Sequence, residues 1–200
     1  MKRLFDTIFG ILCLTISLPL MIIVSIAIKV DSKGPIFFKS LRVGQHGKTF
    51  KMIKFRTMAE GTKLQETKKI KNLNKKITKI GHYLRRSSLD ELPQLFNIFL
   101  GHMSIVGPRP VMKISFEAYP DKVKNVIYNV KPGLTGIGSI IFRDEEELIT
   151  EVKNNDGDVW EFYKEEIYPF KGELEIWYQK NKSFYLDIIL IGLTAWVIFK

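Results

Sequence analysis

The chain has 200 residues, enough for one soluble domain with a real core, and its 31 basic and 21 acidic side chains give a net charge of +10. This balance favours anionic partners: nucleic acid, anionic lipid headgroups or phosphorylated substrates. The single cysteine, Cys13, excludes an intrachain disulfide and a cysteine-based zinc site, and the three histidines show no metal-ligand spacing.

The first element is an apolar run. Residues 7–28 carry no charge, and about 20 helical residues suffice to cross a bilayer core. Three interpretations compete: a cleaved signal peptide, a spanning anchor, and a helix that enters the membrane and turns back. The length of the run and the lack of a small-x-small cleavage site before Lys29 count against the signal peptide. The same length counts against a buried core helix of a soluble protein.

Two features favour the helix that turns back. Pro19 removes a backbone hydrogen bond in the middle of the run and kinks the helix, and Ser17 could satisfy a backbone group that the kink frees. Basic residues flank the run on both sides, and the positive-inside tendency would place both ends on the cytoplasmic face. The residues alone favour the spanning helix equally, because spanning helices tolerate proline.

A turn and a hairpin are predicted next. Residues 31–35 have the composition of a turn, and residues 36–38 and 49–55 have that of two short strands joined by a glycine-containing link. Lys54 and Arg56 would project from the end of this hairpin. Without other evidence, a solvated basic strand edge that deters aggregation explains these two cations better than a binding site does.

A basic amphipathic helix is predicted over residues 60–80, where lysines accompany apolar residues at helical spacing. Such a helix suits an anionic membrane surface, although a solvated helix face explains it equally well. Nucleic-acid binding is less favoured because no aromatic residues are interleaved with the basic ones.

The remaining periodicity predicts mostly helix. Spacing of apolar and aromatic residues indicates helices over 112–128 and 157–180, and the glycine-rich stretch 133–139 is predicted to be a loop or tight turn. That stretch matches neither a GxGxxG motif nor a P-loop, so it gives no indication of nucleotide binding. Residues 184–199 are apolar apart from Asp187 and too short for a standard span, which predicts a packed or interfacial helix.

The strongest functional signal lies in residues 85–110. An adjacent acid pair, Asp90 and Glu91, follows the basic pair Arg85-Arg86 and precedes the rigid turn Gly107-Pro108-Arg109-Pro110. Neighbouring cations would keep Asp90 ionised, as a nucleophile or a Mg²⁺ ligand requires. A carboxylate can attack phosphorus to give an acyl phosphate, and prolines on both sides of Arg109 would hold its guanidinium rigidly for a phosphate.

Helix capping explains the acid pair without any function. Ser88-Leu89-Asp90-Glu91 is an S-x-x-E capping box, and acids are favoured in the first turn of a helix. Pro93 is tolerated only early in a helix, so this helix would begin near residues 88–90. Capping leaves the arginines around the pair unexplained.

With these motifs the chain resembles the bacterial sugar transferases, and more narrowly the small monotopic polyprenyl-phosphate phosphoglycosyl transferases. The resemblance runs nearly from end to end. It rests on KRLFD with the apolar segment, KVDSKGPIFFKSLRVGQHGKTFKMIKFRTM, RRSSLDELPQLFNIFLGHMSIVGPRP, VKPGLTG and the aromatic-rich C-terminal helix.

The resemblance implies a reaction and a set of site residues. A sugar-1-phosphate would pass from a UDP-sugar to polyprenyl (undecaprenyl) phosphate with release of UMP, as the first step of glycoconjugate assembly. Asp90 would be the nucleophile that takes up the phospho-sugar and a ligand of the Mg²⁺ cofactor, and Glu91 would be its partner as base or metal helper. The residues that would bind phosphates or the nucleotide are Lys54, Arg56, Arg85, Pro108, Arg109 and Pro110.

The resemblance also implies a fold and a location. We expect an α/β fold, helix-rich with a small β-hairpin or sheet, in a monotopic membrane protein with amphipathic interfacial helices. Residues 1–30 would form the re-entrant membrane helix, broken near Ser17 and Pro19. Residues 31–200 would form one catalytic domain on the cytoplasmic face of the bacterial inner membrane, in contact with anionic phospholipid and not with nucleic acid.

The chain departs from the family pattern at several positions. Leu18, rather than serine, directly precedes the helix-breaking proline, with Ser17 one step earlier, and His102 replaces the usual aspartate of Gly-Asp-Met-Ser. Residues 137–140 read Ile-Gly-Ser-Ile where Trp-Ala-Gln-Val is usual, and Glu175 stands where an aspartate is frequent. A carboxylate role at position 102 and the identity of the sugar are therefore not implied.

Two other functions compete with this one. A glycosyltransferase would move the sugar alone and release UDP in place of UMP. A non-enzymatic scaffold would use the basic residues of 60–86 to bind a membrane surface.

Overall fold

The computed structural model describes residues 2–59, 77–155 and 157–199, so most of the basic segment predicted at 60–80 lies outside the described residues. The described chain is helix-rich with two small two-stranded sheets, as predicted. The strands are β1 (Phe37–Val43), β2 (Thr49–Phe55), β3 (Ser104–Val106) and β4 (Gly133–Thr135). The helices are α1 (Lys2–Asp31), α2 (Lys79–Arg86), α3 (Gln94–Phe99), α4 (Lys113–Glu117), α5 (Asp121–Ile127), α6 (Ile137–Ile141), α7 (Glu145–Asn154), α8 (Val159–Phe162), α9 (Tyr168–Asn181) and α10 (Phe184–Phe199).

The chain divides into two compact units, and each takes residues from the β1–β2 hairpin. The first, here called the Asp90 unit, comprises Thr7–Ser40 and Lys51–Leu100. The second, here called the Arg109 unit, comprises Met1–Asp6, Leu41–Phe50 and Gly101–Lys200.

The predicted hairpin is confirmed. Its first strand, predicted at 36–38 from the apolar residues, extends over Phe37–Val43. β1 pairs with β2, and the link contains a short 3-10 turn at Gln45–Gly47. His46 and Gly47 both adopt positive φ there, 55° and 74°, which lets the chain reverse within a few residues.

Helix α1 is continuous over 30 residues, including Pro19. It is long and apolar enough to cross a bilayer, with a mean hydropathy of 2.7 over its most apolar window, of which 17% is buried. Three hydroxyl side chains within its apolar run donate hydrogen bonds to main-chain carbonyls of the preceding turn: Thr15 to Ile11, Ser17 to Leu14 and Ser25 to Met21. These bonds satisfy the polar groups of an otherwise apolar surface, as a helix in lipid requires.

In the Asp90 unit, one face of α1 forms the core. Met21, Val24 and Ile28 recur at helical spacing and pack with Phe55 of β2 and Leu84 of α2. Other α1 faces expose large apolar residues, including Leu12, Ile16, Ile23 and Ile26. An apolar surface of this extent, exposed along one helix, indicates membrane association.

The Arg109 unit is built around α5 and α9. Val123 and Ile127 of α5 pack with Tyr119, Tyr128 and Tyr168 in its core. The prediction of a single helix over 112–128 is wrong in one respect. The segment is helical, but it forms two helices, α4 and α5, with a break between them. The break comes at Pro120, which can open α5 but has no amide hydrogen with which to continue α4.

The loop predicted at 133–139 is also wrong. Residues 133–135 form β4, which pairs in parallel with β3 in the register Ser104 to Gly133 and Val106 to Thr135, and α6 follows at once. The glycines permit a close approach of two backbones, since a Cβ on Gly133 would lie 2.2 Å from the amide nitrogen of Gly107.

The C-terminal region agrees with its predictions. A π-helical turn, Tyr163–Ile167, connects α8 to α9, so residues 159–181 are helical as expected from 157–180. Helix α10 has 16 residues and exposes Tyr185 and Trp196, as expected for a packed or interfacial helix. The lone acid of this tail, Asp187, is buried and accepts hydrogen bonds from Lys2 and Tyr178.

Candidate active site

The acid pair lies on a 3-10 turn, Leu89–Glu91, between α2 and α3. The capping-box prediction is wrong, because the Ser88 side chain makes no capping hydrogen bond and α3 begins only at Gln94, after Pro93. Ser88 instead adopts a left-handed conformation with φ of 56°. Strain of this kind costs about 1–3 kcal/mol and recurs at functional sites.

Lys54 of β2 binds both acids. Its Nζ lies 2.6 Å from Glu91 Oε1 and 3.6 Å from Asp90 Oδ2. All three side chains are largely but not fully buried, with 19% of Lys54, 12% of Asp90 and 18% of Glu91 exposed. The ammonium offsets the repulsion between two adjacent carboxylates. Three of the predicted site residues are therefore brought together in the Asp90 unit.

Asn97 fixes the strand that carries Lys54. This side chain is fully buried on α3; its Oδ1 accepts a hydrogen bond from the Ile53 amide at 2.9 Å, and its Nδ2 donates to the Lys51 carbonyl at 2.8 Å. The two bonds tie α3 to β2 one residue before Lys54. Asn97 was not predicted from the sequence. The one indication of its role was its place as a polar residue within the largely apolar run LPQLFNIF.

The two predicted arginines of this unit have other partners. Arg56 is buried, and its guanidinium donates to the carbonyls of Ser32 and Lys33 and to the Ser32 hydroxyl at 2.9 Å. It thereby holds the turn that follows α1. Arg85 is exposed on α2, and its Nε donates to the Thr57 hydroxyl at 3.0 Å.

The Arg109 turn is shaped by its backbone. The Gly107 amide donates to the Thr135 carbonyl and the Gly133 amide donates to the Pro108 carbonyl, both at 2.9 Å, which extends the β3–β4 pairing into the turn. Pro108 and Pro110 are buried, whereas the side chain between them is exposed. The predicted rigid presentation of Arg109 is consistent with this geometry.

Tyr128 adds a second constraint on that turn. Its buried hydroxyl donates to the Arg109 carbonyl at 2.8 Å and accepts from the Val111 amide at 3.1 Å, so it holds the main chain on both sides of Pro110. Burial raises the pKa of this phenol well above its usual range. No local sequence signal indicated this role, because Tyr128 follows the end of a separate helix.

A buried carboxylate lies in the same unit. Glu175 of α9 is 4% exposed and accepts a hydrogen bond from the Gly138 amide. Burial raises the pKa of Glu175 to about 7, although the Gly138 hydrogen bond and the Lys171 ammonium both lower it. Lys171, one turn earlier on α9, forms an ion pair with Glu145.

Comparison with known proteins identifies the family. The family model described as "Bacterial sugar transferase" matches residues 1–200. The chain belongs to the bacterial sugar transferase family. The family predicted from the sequence motifs is therefore confirmed.

Three named relatives resemble the chain over most of its length. A UDP-glucose:undecaprenyl-phosphate glucose-1-phosphate transferase of Klebsiella pneumoniae is 34% identical over 97% of this chain and 39% of its own length. An undecaprenyl-phosphate galactose phosphotransferase of Salmonella typhimurium is 34% identical over 100% of this chain and 40% of its own length. The exopolysaccharide production protein ExoY of Sinorhizobium fredii is 40% identical over 76% of this chain and 73% of its own length.

The chain thus spans about two fifths of the length of the Klebsiella and Salmonella sugar transferases. The names of these relatives support an enzymatic transferase role, and with the apolar α1 they suggest membrane association. They name different sugars, glucose and galactose.

Proposed function

We propose that this sugar transferase moves a sugar-1-phosphate from a UDP-sugar to polyprenyl (undecaprenyl) phosphate and releases UMP, the first step of glycoconjugate assembly. The observation that carries the proposal is the Asp90–Glu91 pair, held on a strained turn against Lys54. An acid pair next to a cation suits a reaction in which negative charge shifts at phosphorus. The names of the relatives supply the substrate class.

The proposed chemistry has two displacement steps at one phosphorus. A carboxylate oxygen of Asp90 attacks the phosphorus next to the sugar, and the bond from that phosphorus to the bridging oxygen breaks, so UMP leaves with the bridging oxygen and its electron pair. A phosphate oxygen of polyprenyl phosphate then attacks the aspartyl phospho-sugar. The bond between Asp90 and phosphorus breaks, which restores the carboxylate and yields polyprenyl-diphospho-sugar.

Asp90 and Glu91 also fit a magnesium cofactor. Both offer the hard oxygen ligands that Mg²⁺ prefers, and both side chains retain some exposure. The described residues contain no group of three or more histidine, cysteine or acidic side chains that could hold a metal, so substrate phosphates would complete the coordination. We propose that Asp90 holds the ion, that Glu91 assists as base or metal helper, and that bound Mg²⁺ neutralises diphosphate charge.

The cationic residues would bind the substrate. Lys54 already offsets part of the charge of the acid pair, and a diphosphate could share its ammonium because this side chain is not fully enclosed. Exposed Arg85, and exposed Arg109 between Pro108 and Pro110, would contact phosphates or the nucleotide. Arg56, predicted to bind phosphates or the nucleotide, is buried on the carbonyls of Ser32 and Lys33, so we propose that it supports the site by holding this turn.

Helix α1 would enter the cytoplasmic leaflet and return. Residues 1–30 would then be the membrane element, and residues 31–200 would be the catalytic domain. Pro19 lies within it, and basic residues flank its apolar run. Met21, Val24 and Ile28 pack against β2 and α2 of the Asp90 unit, which leaves no long free segment to cross a bilayer in that half of the helix. The exposed apolar residues of α1 and α10 would contact lipid, with anionic phospholipid attracting the basic surface.

The test is product analysis with the full chain. Purified protein in anionic vesicles is incubated with Mg²⁺, polyprenyl phosphate and a panel of UDP-sugars. UMP release supports the proposal, whereas UDP release indicates transfer of the sugar alone. With the UDP-sugar but no polyprenyl phosphate, we expect a burst of about one UMP per enzyme, the sign of a covalent intermediate.

Asp90→Asn tests the nucleophile. This substitution keeps the size of the side chain, so we expect at least about a 10³-fold loss of kcat with little change in Tm. Asp121→Asn, at an exposed acid paired only with Lys124, is the matched control and should keep full activity. Substantial turnover by Asp90→Asn would exclude Asp90 as the nucleophile, and a variant without effect on function would favour the membrane scaffold.

A further inference from the structure

Glu175 is one of three buried acids of the Arg109 unit, with Asp6 and Asp187, that the proposed chemistry does not use. Its carboxylate is 4% exposed, and one of its oxygens accepts the Gly138 hydrogen bond. The other, Oε2, has no hydrogen-bond partner among the described residues. Burying a carboxylate costs free energy unless hydrogen bonds or ion pairs compensate it, and the Gly138 amide is the main-chain donor that does so here.

That contact exists only because residue 138 has no side chain. A Cβ on Gly138 would lie 2.7 Å from Glu175 Oε1, closer than real Cβ contacts. The conformation of Gly138 does not itself demand glycine, since its φ lies outside the positive region. A side chain at residue 138 would therefore push the Glu175 carboxylate away from this position, and the two residues form a size-matched pair, at two positions where the chain departs from the family pattern.

The pair is connected to the Arg109 turn through α6. Gly138 lies near the start of α6, and Gly136, which precedes this helix, packs on Gly107: a Cβ on Gly136 would lie 2.2 Å from the Gly107 carbonyl oxygen. Gly107 opens the turn that carries Arg109. Displacing α6 would therefore displace the backbone on which that turn rests.

Electrostatics link the same groups. Burial lowers the pKa of Lys171, and the positive charge of Arg109 acts in the same direction, whereas Glu145 and Glu175 act against it. Lys171 and Glu175 lie one turn apart on α9, so this helix presents one cation and one anion towards the region of the Arg109 turn.

We propose that Glu175 is a positioning residue, which fixes the segment 136–141 through Gly138 and thereby sets the Arg109 turn for binding the substrate diphosphate. This inference rests on the proposed function only for the role of Arg109. Its structural part, the coupling between Glu175, Gly138 and the turn, stands on the contacts described above.

A double-mutant cycle tests the pair. Gly138→Ala should raise KM for the UDP-sugar about tenfold with a smaller change in kcat, because the added methyl group pushes the Glu175 carboxylate off the main chain of α6 and releases that segment. Glu175→Asp in the same chain withdraws the carboxylate and should restore KM to within about threefold of the wild type. Gly192→Ala is the control, since a Cβ there has open space, and it should leave KM unchanged. Losses that simply multiply in the double variant would overturn the pairing.

Glu175→Gln separates hydrogen bonding from charge. Glutamine keeps an acceptor oxygen for the Gly138 amide, so we expect KM within about threefold of the wild type, against about tenfold for Glu175→Ala. Equal losses in both variants would show that the negative charge itself is needed and would exclude positioning through the hydrogen bond.

Hydrogen exchange provides a readout that does not depend on activity. Peptides covering 104–110 and 136–141 should exchange faster in Gly138→Ala, and Glu175→Asp in the same chain should restore their protection. Unchanged exchange in Gly138→Ala overturns the inference. If the wild type releases no UMP while exchange behaves as expected, the proposed function fails and the coupling stands.

Discussion

The Asp90 unit and the Arg109 unit hold their charged residues in opposite ways. In the Asp90 unit side-chain contacts hold the charged residues: Lys54 binds both acids, and Asn97 ties the strand of Lys54 to α3. In the Arg109 unit the turn rests mainly on backbone contacts, through the close approach of Gly107 to Gly133 and Gly136 and through its flanking prolines, and one side-chain hydroxyl, that of Tyr128, binds it.

This difference separates two kinds of ionisable group. Asp90 and Glu91 are paired with a cation and keep some exposure, as groups that react with a substrate must. Glu175 is buried against Gly138, and we propose that it positions the main chain there. The Arg109 unit should therefore respond to pH through a group that is remote from the chemistry, and the Asp90 unit should respond to the loss of particular side chains.

The largest expected effect is the pH dependence of the Arg109 unit. Burial raises the pKa of Glu175 to about 7 from an ordinary value of 4.5. Between these values the folded chain retains a proton that the unfolded chain has lost, so the stability that Glu175 contributes is fully present below pH 4.5 and is lost as the pH rises through 7. The loss is on the order of 3 kcal/mol of unfolding free energy. Denaturant unfolding in detergent across this range measures it.

The Glu175→Gln variant provides the control for this prediction. Glutamine does not titrate, so the decline attributable to Glu175 should disappear, and the difference between the two chains removes contributions from the histidines. Hydrogen exchange should show the loss of protection in peptides of the Arg109 unit and not around Asp90. The same decline in both chains would contradict a buried, titrating Glu175.

The sequence predicted those parts of the molecule whose signals are local. The β1–β2 hairpin follows from strand-forming residues around Gly44 and Gly47, and α10 follows from an uninterrupted apolar composition. The pairing of β3 with β4 could not be predicted, because the paired residues of these three-residue strands are 29 positions apart and β4 has the composition of a loop. Their alignment depends on a close backbone approach that no local pattern encodes.

The candidate site shows the same division. Asp90 and Glu91 stand out in the sequence as adjacent acids after a basic pair, and Arg109 stands out because it lies between two prolines. The partners that hold them do not: Lys54 and Asn97 lie on different elements, and Tyr128 acts on a turn far from it in sequence. Glu175 and Gly138 each departed from the family pattern, but only the folded chain shows that they touch.

The next effect tests how far the Asp90 unit depends on one side chain. Asn97→Ala removes two hydrogen bonds and leaves the Ile53 amide and the Lys51 carbonyl without this partner, so we expect a loss of about 2–3 kcal/mol in unfolding free energy. The matched control is Asn181→Ala at an exposed asparagine, which should cost less than about 0.5 kcal/mol. Equal losses at both sites would show that the strand of Lys54 is held by other contacts.

The smallest effect concerns the backbone strain at Ser88, which lies directly before the turn that carries Asp90. Glycine adopts the left-handed conformation of Ser88 freely, but it also gains freedom in the unfolded chain, so Ser88→Gly should stabilise the fold by about 0.5–1 kcal/mol. The adjacent Ser87→Gly should have the opposite sign, because Ser87 is right-handed and its hydroxyl binds the Tyr83 carbonyl. If the strain holds Asp90 in place, Ser88→Gly will lower kcat about threefold while raising Tm. A variant that is more stable and equally active would show that the left-handed serine contributes nothing to the chemistry.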